Sequence, residues 1–241
     1  MTSNFKAVGF LGFDVFGTVV DWRTSVARVA EPFLKRHGLE IDPLAFADRW
    51  RSLYQPSMEP IRAGRRPFVT LDVLNRESLD TVLSELHADI SRIPAKQRDE
   101  LNRAWEQLSP WPDAVEGLAR LKRRFAIGPL SNGHIAGMMN LARHAGLPWD
   151  MIGGAELSQT YKPQAQTYLR TIAAAGLPPE RTALVAAHNE DLRAARAVGM
   201  RTVFIRRPYE HGPGQMKDIH AEEAWDVVAD SLIEAAQALG C

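Results

Sequence analysis

The chain has 241 residues, 45% hydrophobic and 24% charged, which suits a folded protein with one sizeable core, or a core plus a smaller appended unit, and excludes a disordered chain. Lys and Arg total 29, as do Asp and Glu, so the formal charge is zero and no global field recruits nucleic acid or an anionic membrane. The single cysteine, Cys241, is the last residue, which excludes an internal disulfide framework and a thiolate metal cluster.

In chain order, residues 1–6 lack the basic and apolar segments of an export signal, and no run reaches the roughly 20 apolar residues that span a bilayer. The expectation is a soluble cytoplasmic protein. A first strand is predicted over 7–13, an almost wholly apolar run of the kind buried on both faces of a parallel sheet. It ends at Asp14. From about Trp22 to Trp105 the period becomes helical: Val26, Val29, Ala30, Phe33 and Leu34 recur at helix spacing, as do stretches around 46–54 and 71–86. After Trp111-Pro112-Asp113, helix and strand patterns alternate. A helix is predicted over 114–123, a strand over 125–130, a helix near 138–145, another after Pro163, a strand over 182–187, a helix over 191–198, a strand over 201–205 and a closing helix over about 224–239.

This order predicts a three-layer α/β domain with a Rossmann-like parallel sheet, residues 1–20 and 106–241, into which a helical cap, residues 21–105, is inserted after the first strand. Ligands of such sheets sit beyond the carboxyl ends of the strands. The candidate active residues fall there: Asp14 after the first strand, Ser131-Asn132 after the second, and His188-Asn189 with Asp191 after the third.

The stretch Phe13-Asp14-Val15-Phe16-Gly17-Thr18, the turn Ser131-Asn132-Gly133, Tyr161-Lys162-Pro163 and the final Asp191 resemble the four ordered motifs of the haloacid dehalogenase superfamily, and within it the type II 2-haloacid dehalogenases. The likeness spans nearly the whole chain, because the helical insertion lies where that family carries its cap. The resemblance implies a hydrolase acting on carbon–halogen bonds of short haloacids without metal or other cofactor, and a homodimer. Asp14 would be the nucleophile, expelling halide from the substrate carbon to leave an aspartyl ester that water then hydrolyses.

Phe16 discriminates. A phosphatase of this superfamily carries a second aspartate at that position to protonate an alkoxide leaving group, whereas halide leaves as the anion and needs no acid. The resemblance further implies Lys162 as the cation that holds Asp14 ionised, with Thr18 and Ser131 as hydrogen-bonding supports and Tyr168 nearby. Arg51, in the pair Trp50-Arg51, would meet the departing halide, with Arg49 as the alternative register. Asn132 would be a second halide contact, and the backbone N–H groups of Val15 and Phe16 would bind the substrate carboxylate or an oxyanion.

The fourth motif departs from the family. Type II enzymes usually carry Ser-Ser-Asn before the last aspartate, but here Ala186-Ala187-His188-Asn189 precede Glu190-Asp191. His188 either handles the hydrolytic water or replaces the asparagine as a passive hydrogen-bonding group, and Asn189 is counted with the substrate contacts. Asp191 either pairs with Lys162 or orients water; capping the following helix is the bland alternative. The segment 207–213, Arg-Pro-Tyr-Glu-His-Gly-Pro, is similar to a branch that includes fluoroacetate-active members, with His211 expected at the surface and His134 placed near the Ser-Asn-Gly turn. Two other readings stand beside the dehalogenase: a Mg-dependent small-molecule phosphatase using Asp14 and Asp191, and a non-catalytic interaction protein.

Overall fold

The computed structural model describes residues 5–86 and 89–241. Its centre is a five-stranded parallel sheet in the order β4-β1-β5-β6-β7, formed by β1 (Phe10–Phe13), β4 (Ala126–Pro129), β5 (Thr182–Ala186), β6 (Arg201–Ile205) and β7 (Val227–Ala229). β1 is buried along its length because it has neighbours on both edges, Phe10 pairing with Ala126 on one side and Thr182 on the other. The chain leaves β1 to build β4 on one side and then returns to build β5 on the other. That reversal opens a crevice at the carboxyl ends of these three strands.

Alternation along the strands sorts the core into two layers. Ala183 and Val185 pack in the larger cluster with Leu118 and Leu121 of α6 (Ala114–Lys122), Leu141 of α7 (Ile135–Ala145) and Ala235 of α10 (Leu232–Ala238). Leu184 and Ala186 face the opposite side, against Tyr168 and Ile172 of α8 (Ala165–Ala174) and Leu192 of α9 (Asn189–Ala197). The result is a three-layer α/β sandwich.

The helical block departs and returns through a two-stranded antiparallel ribbon, β2 (Val20–Asp21) with β3 (Ser109–Pro110), in which Asp21 pairs with Ser109. Between them lie α1 (Trp22–Arg36), α2 (Pro43–Ser52), α3 (Tyr54–Arg62), α4 (Leu71–Glu85) and α5 (Ala95–Asn102). Asp21 caps α1 by accepting from the Thr24 N–H, and Asp42 caps α2 by accepting from that of Ala45. Trp50 of α2 donates its indole N–H to the Asn75 carbonyl on α4, 2.9 Å away, which fixes the face of α2 that turns inward.

Three expectations change. The first strand is shorter than 7–13. The ribbon β2–β3 is too short to show as a periodic pattern. The closing segment is a strand followed by a helix: Val227 pairs with Val203, and Ser231 then accepts from the Glu234 N–H to start α10. The β-branched pair Val227-Val228 suits an edge strand, and the sheet supplies the partner that a local helix pattern hides.

Candidate active site

Asp14 follows β1 directly, and its N–H still donates to the Val185 carbonyl, so the sheet itself fixes its backbone. The chain then turns tightly: the N–H groups of Val19 and Val20 both donate to the Val15 carbonyl, and Gly17 adopts a φ of 88°. Only glycine takes that conformation without strain, and the space is also closed, since a Cβ at Gly17 would lie 2.1 Å from Oε1 of Glu210. The N–H groups of Val15 and Phe16 donate to no acceptor among the described residues. They stand as free donors beside the carboxylate.

Asp14 Oδ2 accepts from the Thr18 hydroxyl at 2.8 Å and lies 3.1 Å from His188 Nδ1; Oδ1 lies 3.2 Å from Lys162 Nζ. Thr18 is itself fixed, accepting from the Ala187 N–H at 2.9 Å. Burial alone would raise the Asp14 carboxyl, but the Lys162 charge, the His188 hydrogen bond and charge, and the Thr18 hydroxyl overcome it and hold the group well below the usual carboxylate range. Asp14 is ionised at any working pH.

Lys162 Nζ also donates to Asp191 Oδ2 at 2.5 Å, and the Tyr168 hydroxyl donates to Asp191 Oδ1 at 2.5 Å. Burial opposes the charge on Lys162, yet the two carboxylates keep its pKa above the ordinary value. Burial also raises Asp191, Lys162 pulls it back, and repulsion from Asp14 leaves it above the usual range. The two aspartates bridged by one ammonium therefore differ: Asp14 is the weaker base and Asp191 the stronger.

His188 sits between two carboxylates. Its Nε2 is 2.9 Å from Glu210 Oε2, opposite the contact with Asp14. Burial disfavours the imidazolium, but Glu210 and Asp14 raise the His188 pKa well above the ordinary value; burial pushes Glu210 up and His188 pulls it down further. Glu210 is almost wholly buried, and Oε1 takes the Trp22 indole N–H at 3.1 Å. Its segment is anchored by Arg207, whose guanidinium forks onto Asp113 at 2.8 and 2.9 Å and donates Nε–H to the Thr18 carbonyl. The sequence reading passed over Glu210; the signal available was an acid inside the 207–213 segment.

A cavity of about 1030 Å³ opens above these groups and is roofed by the helical block. Arg51 enters it from α2. Its guanidinium carbon is 3.8 Å from the Tyr54 ring centre, 5.3 Å from that of Trp22 and 5.9 Å from those of Phe16 and Trp105, and its buried Nη1 has no hydrogen-bond partner. Arg49 instead forks onto Glu85 at the surface and does not line the cavity. Phe16 packs edge-on against Trp105, 6.0 Å between centres, and forms a wall of the cavity.

Asn132 lines the cavity, its carbonyl oxygen accepting from the Lys162 N–H at 2.8 Å. Two expected site residues do other work. The Ser131 hydroxyl accepts from the Gly133 N–H at 3.1 Å and makes no hydrogen bond to Asp14, which takes its support from Thr18, Lys162 and His188 instead. Asn189 is turned away from the cavity: its amide donates to Asp218 and the His220 carbonyl and accepts from the Glu222 N–H and the Trp225 indole, leaving no bond for a substrate. His134 lines a separate cavity of about 510 Å³ that shares only the Phe16 wall with the site. His211, expected at the surface, is half-exposed yet lines the site, edge-on to Trp22 and 3.5 Å from Glu210.

The arrangement does not suit a divalent cation. The ammonium of Lys162 lies between the two carboxylates that a cation would bridge. Among the described residues, no group of three or more His, Cys, Asp or Glu side chains is arranged to hold a metal ion.

A parallel sheet bearing an aspartate at the end of its first strand, a lysine bridging to a last aspartate, and an inserted helical roof define a hydrolase class, and the chain belongs to the haloacid dehalogenase-like hydrolases, whose family model matches residues 11–199. Its relatives narrow this to the L-2-haloacid dehalogenases. The crystal structure of a defluorinating L-2-haloacid dehalogenase is 49% identical, with a TM-score of 0.95 over 97% of this chain and 96% of that one. A second L-2-haloacid dehalogenase structure is 42% identical, with a TM-score of 0.89 over 97% and 99%. Among curated proteins, the (S)-2-haloacid dehalogenase of Pseudomonas sp. strain YL is 29% identical over 200 residues, covering 82% of each chain.

Proposed function

We propose that this chain hydrolyses the carbon–halogen bond of short 2-haloacids through Asp14, with residues 21–105 acting as a cap domain over the site. The observation that carries the reading is the pairing across the cavity of an ionised carboxylate held from three directions with an arginine whose buried Nη1 has no acceptor among the described residues. Asp14 attacks the halogen-bearing carbon from the back; the halide leaves toward Arg51, with Asn132 alongside, while the substrate carboxylate takes the free N–H groups of Val15 and Phe16. Halide needs no proton, so Phe16 in place of an acid is no loss. Water then attacks the carbonyl of the Asp14 ester and releases the hydroxy acid.

The phosphatase reading is not favoured, because the second acid is missing and the cation position belongs to Lys162. The test is halide release in chelator-treated protein from both enantiomers of 2-chloropropionate, from chloroacetate and from fluoroacetate. Fluoroacetate is included because the relative at 49% identity is described as defluorinating. Chloride from the (S) enantiomer, lost by at least about 10⁴-fold in Asp14→Asn, is expected, since the amide cannot act as the nucleophile. Silence on all four substrates sinks the reading. A homodimer and a cytoplasmic location accompany it as proposals; sedimentation velocity checks the first.

A further inference from the structure

We propose that Glu210 is a positioning residue that keeps His188 doubly protonated, so that its Nδ1–H stabilises the oxyanion formed when water attacks the Asp14 ester. The proposal rests on the reading of Asp14 as the nucleophile.

Hydrogen-bond types fix the protonation state of His188. His188 Nδ1 lies 3.1 Å from Asp14 Oδ2 and Nε2 lies 2.9 Å from Glu210 Oε2. An ionised carboxylate only accepts, so each ring nitrogen must carry a hydrogen; a neutral imidazole would aim one lone pair at a carboxylate oxygen. Alkylation of Asp14 does not change this, because both oxygens of an ester are also acceptors. His188 therefore meets the intermediate as a charged donor, not as a base. Glu210 can hold this state because it is itself fixed: Trp22 donates to Oε1, Gly17 packs beneath the carboxylate, and Arg207 ties the segment to the Thr18 carbonyl.

The charged and titratable groups around the pair are few. His188 faces Asp14 from the end of β1 and Glu210 from the segment after β6. Glu210 faces His188, His211 at 3.5 Å on its own segment, and the charge of Arg51 from α2. His211 also faces His188 from that segment, and Lys162 and Asp191 adjoin Asp14.

In the second half-reaction, the water oxygen bonds to Asp14 Cγ, the electron pair of the carbonyl moves onto its oxygen, and His188 Nδ1–H donates to that oxygen. The water proton passes to the carboxylate of Asp191, which shares Lys162 Nζ with Asp14. Collapse re-forms the carbonyl and breaks the ester C–O bond, and the departing alkoxide takes the proton from Asp191 as the hydroxy acid leaves. Asp14, now a carboxylic acid with one oxygen from water, loses its proton to solvent.

Single-turnover kinetics of Glu210→Gln with (S)-2-chloropropionate test this. One equivalent of halide per active site should still be released in a burst, within about threefold of the wild-type rate, showing that the site is folded. Ester hydrolysis should slow about 10- to 100-fold, the cost of turning a charged oxyanion donor into a weaker neutral one, and the Asp14 peptide should accumulate one carboxyethyl group by mass. The pH profile has a definite sign: hydrolysis needs charged His188 and fails as pH rises through its pKa. In the wild type Glu210 keeps that limb above the ordinary histidine value; in Glu210→Gln it should move down toward pH ~6.5. Glu210→Asp, which restores the charge, should recover part of the rate and return the limb upward. The inference is overturned by wild-type hydrolysis that rises with pH along that limb, by unchanged hydrolysis in Glu210→Gln, or by a variant in which burst and hydrolysis slow alike. If the wild type releases no halide, the parent reading fails; if halide and ester appear but Glu210→Gln hydrolyses normally, this inference fails alone.

Discussion

The floor and the roof of the cavity are built on opposite principles. On the floor, supplied by the strand ends, Asp14, Lys162, Asp191, Tyr168, His188 and Glu210 form an unbroken chain of ion pairs and hydrogen bonds. On the roof, supplied by α2, Arg51 lies among aromatic rings with a buried Nη1 that bonds to nothing. A buried guanidinium N–H without an acceptor is costly, and proteins rarely tolerate one without a reason. The floor fixes the nucleophile before substrate arrives, and the roof keeps that donor for the group that leaves.

The largest effect that sharpens this contrast comes from cutting the floor at its centre. Lys162→Met leaves Asp14 and Asp191 buried together without their shared cation, and removing one partner from such a network costs about 3–5 kcal/mol of stability. Turnover should disappear, because repulsion would protonate one of the two carboxylates. Urea denaturation and halide release read both outcomes. A variant with near-native stability and activity would show that the floor is not a coupled unit.

Cutting the roof should do the reverse. Arg51→Leu is expected to reduce kcat about 10²-fold or more, the loss of a preorganised donor to a developing anion, while changing stability by less than about 1 kcal/mol, since lost contact with the Tyr54 ring is offset by removal of a buried N–H without an acceptor. Arg51→Lys keeps the charge without the planar fork and should fall between. If Arg51→Leu were as destabilising as Lys162→Met, the distinction between the two halves would be broken.

A subtler measurement is the pH dependence of stability. Asp14 has its pKa lowered on folding, so its contribution is present above the unfolded carboxylate value near 4 and is lost as pH falls through the depressed folded value. His188 has its pKa raised, so its contribution is full below about 6.5 and is lost as pH rises through the elevated folded value. Stability should therefore peak between about pH 4 and 6.5, and the alkaline decline should flatten in His188→Gln. Thermal unfolding from pH 4 to 9 checks it; a native-like alkaline decline in that variant would contradict the assignment.

The floor was more legible in the sequence than its details. Strand ends and motif residues are local signals: an apolar run that stops at Asp14, or Ser131-Asn132-Gly133 after a second run, is visible without a fold, and the structure brings Asp14, Thr18, Lys162, His188 and Asp191 together. What the motifs did not carry was direction. Ser131 and Asn189 stand in motif positions, yet their side chains are drawn off by the Gly133 N–H and by the 218–225 segment, and nothing in a linear pattern fixes such a choice. Glu210 was hidden for the same reason, 22 residues from His188 in sequence and joined to it only by tertiary placement. The aromatic box around Arg51 draws on Phe16, Trp22, Tyr54 and Trp105, so periodicity reads each as core packing while their meeting point is a property of the fold.

Asn189 offers the smallest effect on turnover and the cleanest test of where the floor ends. Asn189 opens α9 and does not line the cavity, and its amide satisfies four groups on the 218–225 segment, among them the Trp225 indole and the Glu222 N–H. Asn189→Ala should cost about 1–3 kcal/mol of stability, the range for leaving buried donors and acceptors unpaired. KM should stay within about twofold of wild type, because no atom of the residue meets the substrate. A substrate contact would give the opposite split, a raised KM in a protein of native stability. The two outcomes separate a residue that anchors the 218–225 segment from one that belongs to the site, and steady-state kinetics beside a urea titration decide between them.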